Sequence, residues 1–175
     1  LLADMRQAAG TPCDRPAGAA VLDRLSARLL GPEGRIVVLP ATMRGARALP
    51  GRIVVIGDDM IAGEPGPAVA AGHVLAADAV AADADPLEAV LRAAGIRAAL
   101  TMLTTGELAA ESLSGQGVAL LSRPATRPDD ETLLARMEEA GVSSQPYARS
   151  LDPSGETVLT LIEADPWRST EPEPL

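Results

Sequence analysis

The stretch from Ile96 to Leu121 constrains the fold more than any other, because it reads as strand, tight turn, helix, strand. IRAALTML is an apolar run short enough for a buried strand. TTGELAAESL carries a helix-start signal, with Thr104 as cap and Glu107 three residues on. That helix is predicted to end near Gly115, and Gly117 to Ser122 to form the next strand. Strands alternating with capped helices point to an α/β domain with a parallel sheet. Ile96 to Leu103 and Val118 to Leu121 are therefore predicted to lie parallel and buried in one sheet.

The flanking segments extend this pattern. Asp85 suits an N-cap, Pro86 the first helical position, Glu88 the return arm of a capping box, and Gly95 the terminator. Asp129 and Asp130 open another helix, with Leu133, Leu134 and Met137 facing inward and Gly141 at its end. Ser143 to Ser150 and Glu156 to Glu163 read as two arms of a hairpin around Asp152-Pro153-Ser154-Gly155, a type I turn sequence.

Toward the N-terminus, Leu1 to Pro16 reads as an arm, and Ala17 to Leu30 as a helix stopped by Gly31 and Pro32. GRIVVLP (Gly34 to Pro40) and GRIVVIG (Gly51 to Gly57) are near-copies with the β-branched run of buried strands. Only Ala41 to Pro50 separates them, short for a parallel crossover. They are thus expected to pair antiparallel, or to be joined by one compact helical turn over Thr42 to Leu49. Ala68 to Ala82 reads as a helix, although His73-Val74-Leu75 also suits the start of a strand. Residues 164–175, rich in proline, read as a disordered tail. The expectation is one α/β domain over 17–163: a Rossmann-like three-layer domain with a mixed, mostly parallel sheet and a C-terminal antiparallel hairpin.

Composition narrows the function classes. The net charge is -9, from 15 arginines against 24 acidic residues, and no lysine occurs. Such a surface lacks the basic footprint of a nucleic-acid or anionic-membrane binder. The absence of Phe, Lys and Asn, whose codons are AT-rich, points to a GC-rich, bacterial coding sequence. Cys13 and His73 are the only residues of their kinds, so neither a disulfide nor a zinc cluster can be built from them. With no signal peptide and no membrane-length apolar run, the expected location is cytoplasmic. The first residue is Leu rather than Met, which points to a piece of a longer parent chain.

Two places have the pattern of a ligand site. Thr104, Thr105 and Gly106 stand where a strand would enter a helix, so free N–H groups and the helix dipole would favour an anion. Arg123, one unit later, would bring a positive charge near them. Asp58 and Asp59 follow a buried strand, where carboxylates hold ribose hydroxyls or Mg²⁺. A capped helix, a surface arginine and a solvated turn explain the same residues without a ligand. No phosphate-loop or nucleophile-elbow motif occurs in a strand-to-helix context, and no catalytic residue is assigned.

Two patches carry a family resemblance. Ala17 to Leu39, a helix followed by LLGPEGRIVVL, and RPATRPDDETLLARMEEAGV with the hairpin after it resemble parts of class I S-adenosylmethionine-dependent methyltransferases. LSGQGVALLSRP is similar to strand openings in uroporphyrinogen-III synthases. The methyltransferase resemblance implies a Rossmann-like fold and S-adenosylmethionine as cofactor, though the family's glycine-rich cofactor loop has no counterpart here. Two functions follow as expectations: a small-ligand-binding domain for an anionic or nucleotide-like molecule, or a non-catalytic interaction domain with a protein partner.

Overall fold

The structure, a computed structural model, describes residues 1–12, 16–41, 43–62, 66–106, 113 and 115–167. In chain order the elements are α1 (Leu2–Ala9), α2 (Pro16–Leu30), β1 (Arg35–Leu39), β2 (Arg47–Leu49), β3 (Ile53–Gly57), α3 (Asp59–Ala62), α4 (Gly66–Asp83), α5 (Pro86–Ala94) and α6 (Ile96–Thr105). They continue with α7 (Gln116–Ser122), α8 (Asp130–Ala140), α9 (Ser144–Leu151), a 3-10 turn (Glu156–Val158) and α10 (Leu159–Glu163).

The twin runs do form strands, because Ile and Val fit a pleated surface buried on both faces. β1 and β3 pair in parallel, Arg35 opposite Ile53 through Leu39 opposite Gly57, which corrects the antiparallel expectation. The short connection suffices because it holds a strand of its own: β2 folds back antiparallel on β3, giving the order β1-β3-β2. The β2–β3 turn uses positive φ at Gly51 (83°) and at Arg52 (56°). Arg52 holds that strained conformation with its guanidinium on the last carbonyl of α2, Leu30 O, at 2.5 Å.

The three-layer Rossmann-like expectation is overturned: the described residues are mostly helical around this one three-stranded sheet. Ile96 to Leu103 is α6 and Val118 to Leu121 lies in α7; neither is a strand. IRAALTML and VALL are apolar, but Ala, Leu and Met, good helix formers, outnumber the β-branched Ile96, Thr101 and Val118 in them. The C-terminal hairpin is also corrected, since its arms are α9 and α10. Pro146 forbids a strand interior but is tolerated in the first turn of α9, which Ser143 caps through the Gln145 N–H. The turn between them does form, with the Gly155 N–H on Asp152 O at 3.0 Å.

The strand alternation divides the core in two. Ile36, Val38, Val54 and Ile56 face α2, α4, α8 and α9 in the larger cluster. Val37, Leu39 and Val55 face the other way, against Met5 of α1 and Leu120 and Leu121 of α7. The residues expected to form an arm thus carry α1, whose Met5 is fully buried. The Gly117 N–H at the start of α7 donates to Asp4 Oδ2 of α1 at 2.8 Å. α4 runs through the larger cluster, and its Gly72 lies against Tyr147 of α9, where an added Cβ would come within 2.5 Å of the Tyr147 Cβ. α8 ends as expected at Gly141, with the Gly141 N–H on Glu138 O and the Val142 N–H on Met137 O. The tail is held as far as Trp167: buried Asp165 accepts from Ser143 Oγ (2.6 Å), the Ser144 N–H (3.3 Å) and the Trp167 N–H (3.1 Å). Residues 168–175 lie outside the described residues. No helix among the described residues is long and apolar enough to cross a membrane.

Candidate functional site

The strand that the expected anion site needed is not formed. Thr104 and Thr105 sit in the last turn of α6, and Gly106 is its left-handed cap at φ 74°. The hydroxyl of Thr104 donates to Leu100 O (3.1 Å) and Thr101 O (3.0 Å), that of Thr105 to Thr101 O (2.8 Å), and the Gly106 N–H to Met102 O (2.8 Å). These groups are turned inward to their own helix. The carboxyl end of a helix dipole is negative and repels an anion. Glu107 lies outside the described residues.

Asp58 and Asp59 do follow β3, at the carboxyl ends of the parallel pair. The Asp58 N–H donates to Leu39 O (2.9 Å), its carbonyl accepts from the Ile61 N–H (3.0 Å), and Asp59 opens α3. This arrangement joins β1, β3 and α3 without a ligand. The Asp85 carboxylate caps α5 through the Leu87 N–H at 2.8 Å, as expected; Glu88 instead pairs with Arg92 one turn on, at 2.5 Å.

Of the expected site residues, only Arg123 borders the larger described cavity. This cleft of about 420 Å³ lies between β2, α4, α5 and α7. α4 and α5 contribute only Ala, Val and Pro to its wall, with Ala84 between them; Arg47 of β2, Gln116 of α7 and Arg123 and Thr126 beyond α7 are its polar side chains. No carboxylate and no aromatic ring lines it among the described residues.

Arg47 is the residue the sequence reading missed. It is 7% exposed and has no carboxylate partner among the described residues. Its Nε donates to Leu120 O (3.1 Å), Nη1 to Arg44 O (3.2 Å) and Ala46 O (2.8 Å), and Nη2 to Arg123 O. Leu120 O and Arg123 O belong to the last turn of α7 and its exit, so the guanidinium caps the negative end of that helix. A guanidinium has five N–H donors. Four are used, and one Nη2–H is left. Burial lowers the Arg47 pKa, and the like charge of Arg123 lowers it further, in line with a cation that has carbonyl dipoles but no counterion.

His73 of α4 stands behind this arginine. Its ring meets Tyr147 edge-on, with centroids 4.9 Å apart at 79°. Burial, and then the Arg47 charge, lowers its pKa, so it is neutral at pH 7. Gly45, at φ 81°, lets the segment after α7 pass close by: a Cβ there would lie 2.8 Å from the Ala125 Cβ and 3.5 Å from His73 Nδ1. Cys13, the chain's one thiol, lies outside the described residues. A signal for Arg47 was present in the sequence. Pro50-Gly51 marks a turn, and the residues before it, Arg47-Ala48-Leu49, pair with β3 as its short edge strand.

A smaller cavity of about 290 Å³ lies near Arg52, Asp85 and the Asp78–Arg136 ion pair. Its cations and carboxylates stand side by side, so it offers a charged ligand no comparable attraction. No protein-family model matches the chain, and no curated protein matches it significantly.

Proposed function

We propose that this is a small-ligand-binding domain whose cleft between β2, α4, α5 and α7 takes an organic anion. The observation that carries the reading is the pair Arg47 and Arg123 on a wall that has no carboxylate among the described residues, in a protein of net charge -9. A buried cation lacking a counterion is costly, and an anion placed beside it recovers part of that cost. Against an acidic surface, buried Arg47 and the more exposed Arg123 together make a local positive field where the global one repels. S-adenosylmethionine, suggested by the methyltransferase resemblance, remains a ligand to try, although its cationic centres would face these two arginines. A lone cysteine fits a reducing compartment, and cytoplasm is the location proposed.

The test is a chemical-shift titration with phosphate, adenosine monophosphate, S-adenosylmethionine and alkyl carboxylates. Movement of the Arg47 to Leu49 and Gln116 to Arg123 amides is expected for at least one anion, and Arg123→Gln should weaken it about tenfold or more, the scale of a lost charged hydrogen bond. Silence of those amides toward every ligand removes the reading.

A second reading, a non-catalytic interaction domain, draws on α6. Ile96, Leu100 and Leu103 form a stripe on that helix exposed to 84%, 62% and 84%. Its expected signature is concentration-dependent or partner-dependent burial of that stripe, with the cleft unaffected.

A further inference from the structure

Resting on the anion-binding reading, we propose that the ligand is an aliphatic carboxylate: a flexible methylene chain ending in a single carboxylate group. The cleft divides its chemistry by element. Ala77, Val80 and Ala81 of α4 and Ala89, Val90 and Ala93 of α5 supply one wall, without a polar side chain among them. Arg47, Gln116, Arg123 and Thr126 come from the opposite elements. Such a cleft matches a molecule with an apolar body and one polar end.

The same lining argues against a nucleotide. A base is held by stacking on an aromatic ring, and none lines the cleft among the described residues. Ribose hydroxyls are held by carboxylates, and Asp58 and Asp59 are not on its wall. The cationic end also fits one carboxylate. Arg47 has a single Nη2–H left after its four carbonyl contacts, and Arg123 adds a guanidinium fork beside it. The α4 and α5 side chains are small, so the chain of the ligand, rather than the protein, fills the space between the helices.

The experiment is a titration of the full chain with butanoate, hexanoate and octanoate, followed by amide shifts, with octylammonium, octanol and adenosine monophosphate as comparison arms. Affinity is expected to rise about fourfold for each added methylene, as burial of one CH₂ implies. Octanoate should shift the Arg47 to Leu49 and Gln116 to Arg123 amides, and octylammonium should not. Arg123→Gln should weaken octanoate at least about tenfold while keeping the chain-length trend. Ala89→Phe, at a position exposed enough to accept a larger side chain, should fill the apolar wall and flatten that trend. Equal binding of octanoate, octanol and octylammonium would overturn the proposal by showing unselective apolar uptake. Binding of adenosine monophosphate but not octanoate would overturn the aliphatic class and leave the anion site standing. Silence of these amides toward every ligand would remove both.

Discussion

α4 and α6 are both apolar, alanine-containing helices, yet they occupy opposite situations. α4 buries Val69 to Gly72, Val74 to Ala77 and Ala79, and packs against α2, α3, α8, α9 and the sheet. α6 buries only Ala98 among its ten residues, and α5 is its main neighbour. The larger side chains are on the less buried helix. Small residues on α4 let several elements approach at once, most closely where Gly72 meets Tyr147. Ile96, Leu100 and Leu103 of α6 are exposed, with no covering surface among the described residues. Burial thus follows close approach and available partners rather than the hydrophobicity of a segment. The cleft is walled on one side by α4 and on another by α5, the helix that α6 packs against.

The hardest test of this contrast is Gly72→Ala. The new Cβ would sit 2.5 Å from the Tyr147 Cβ and 2.7 Å from its Cγ, atoms too near the backbone to swing aside. A loss of about 2 kcal/mol or more is expected, a Tm drop of roughly 4–8 °C in thermal unfolding. An unchanged Tm would mean that α4 and α9 are not in close contact. Next in size is Gly155→Val, at φ 81° in the turn between α9 and the 3-10 turn, where an added Cβ meets Ile162 Cδ1 at 3.0 Å. About 1 kcal/mol should be lost on denaturant unfolding, and a neutral result would remove the turn as described.

A smaller, pH-dependent effect comes from His73. Its folded pKa lies below the ordinary 6.5, so the unfolded chain binds the proton more readily. Its contribution to stability is therefore intact above about pH 6.5 and declines as the pH falls from there toward the folded pKa. His73→Gln should flatten that part of the stability curve; a curve that keeps its slope assigns the effect to other groups. The smallest effect is expected on α6: Leu100→Ser and Leu103→Ser should each change stability by no more than about 0.5 kcal/mol. A loss above 2 kcal/mol would place that helix in a core.

What the sequence made legible follows the same division. GRIVVLP and GRIVVIG were readable as strands because β-branched residues admit little else, and Asp85, Gly95, Asp129 and Gly141 were readable as helix ends because cap geometry is local. Direction of pairing was not readable, since it depends on β2 folding back within the connection. IRAALTML is ambiguous in sequence because a short apolar run carries no period of its own, and its Ala, Leu and Met content favours the helix it forms. That helix puts Thr104 to Gly106 at its negative end rather than at the positive end of the next one. Arg123 lines the cleft, whose lining does not include Thr104. Pro50-Gly51 marks the short strand that carries Arg47, but the burial of Arg47 is not legible there, because it arises from the carbonyls of α7, far along the chain.

Native-state amide hydrogen exchange, with and without octanoate, tests the central contrast most directly. Without ligand, the amides of Ala70 to Ala79 in α4 should exchange only through global unfolding, and those of Arg97 to Thr105 in α6 about a hundredfold faster or more. With octanoate, protection should rise on Val90 to Ala93 of α5 and Ala119 to Leu121 of α7. Equal protection of α4 and α6 in the free protein would contradict the account, because it would make the stripe at Ile96, Leu100 and Leu103 part of a core.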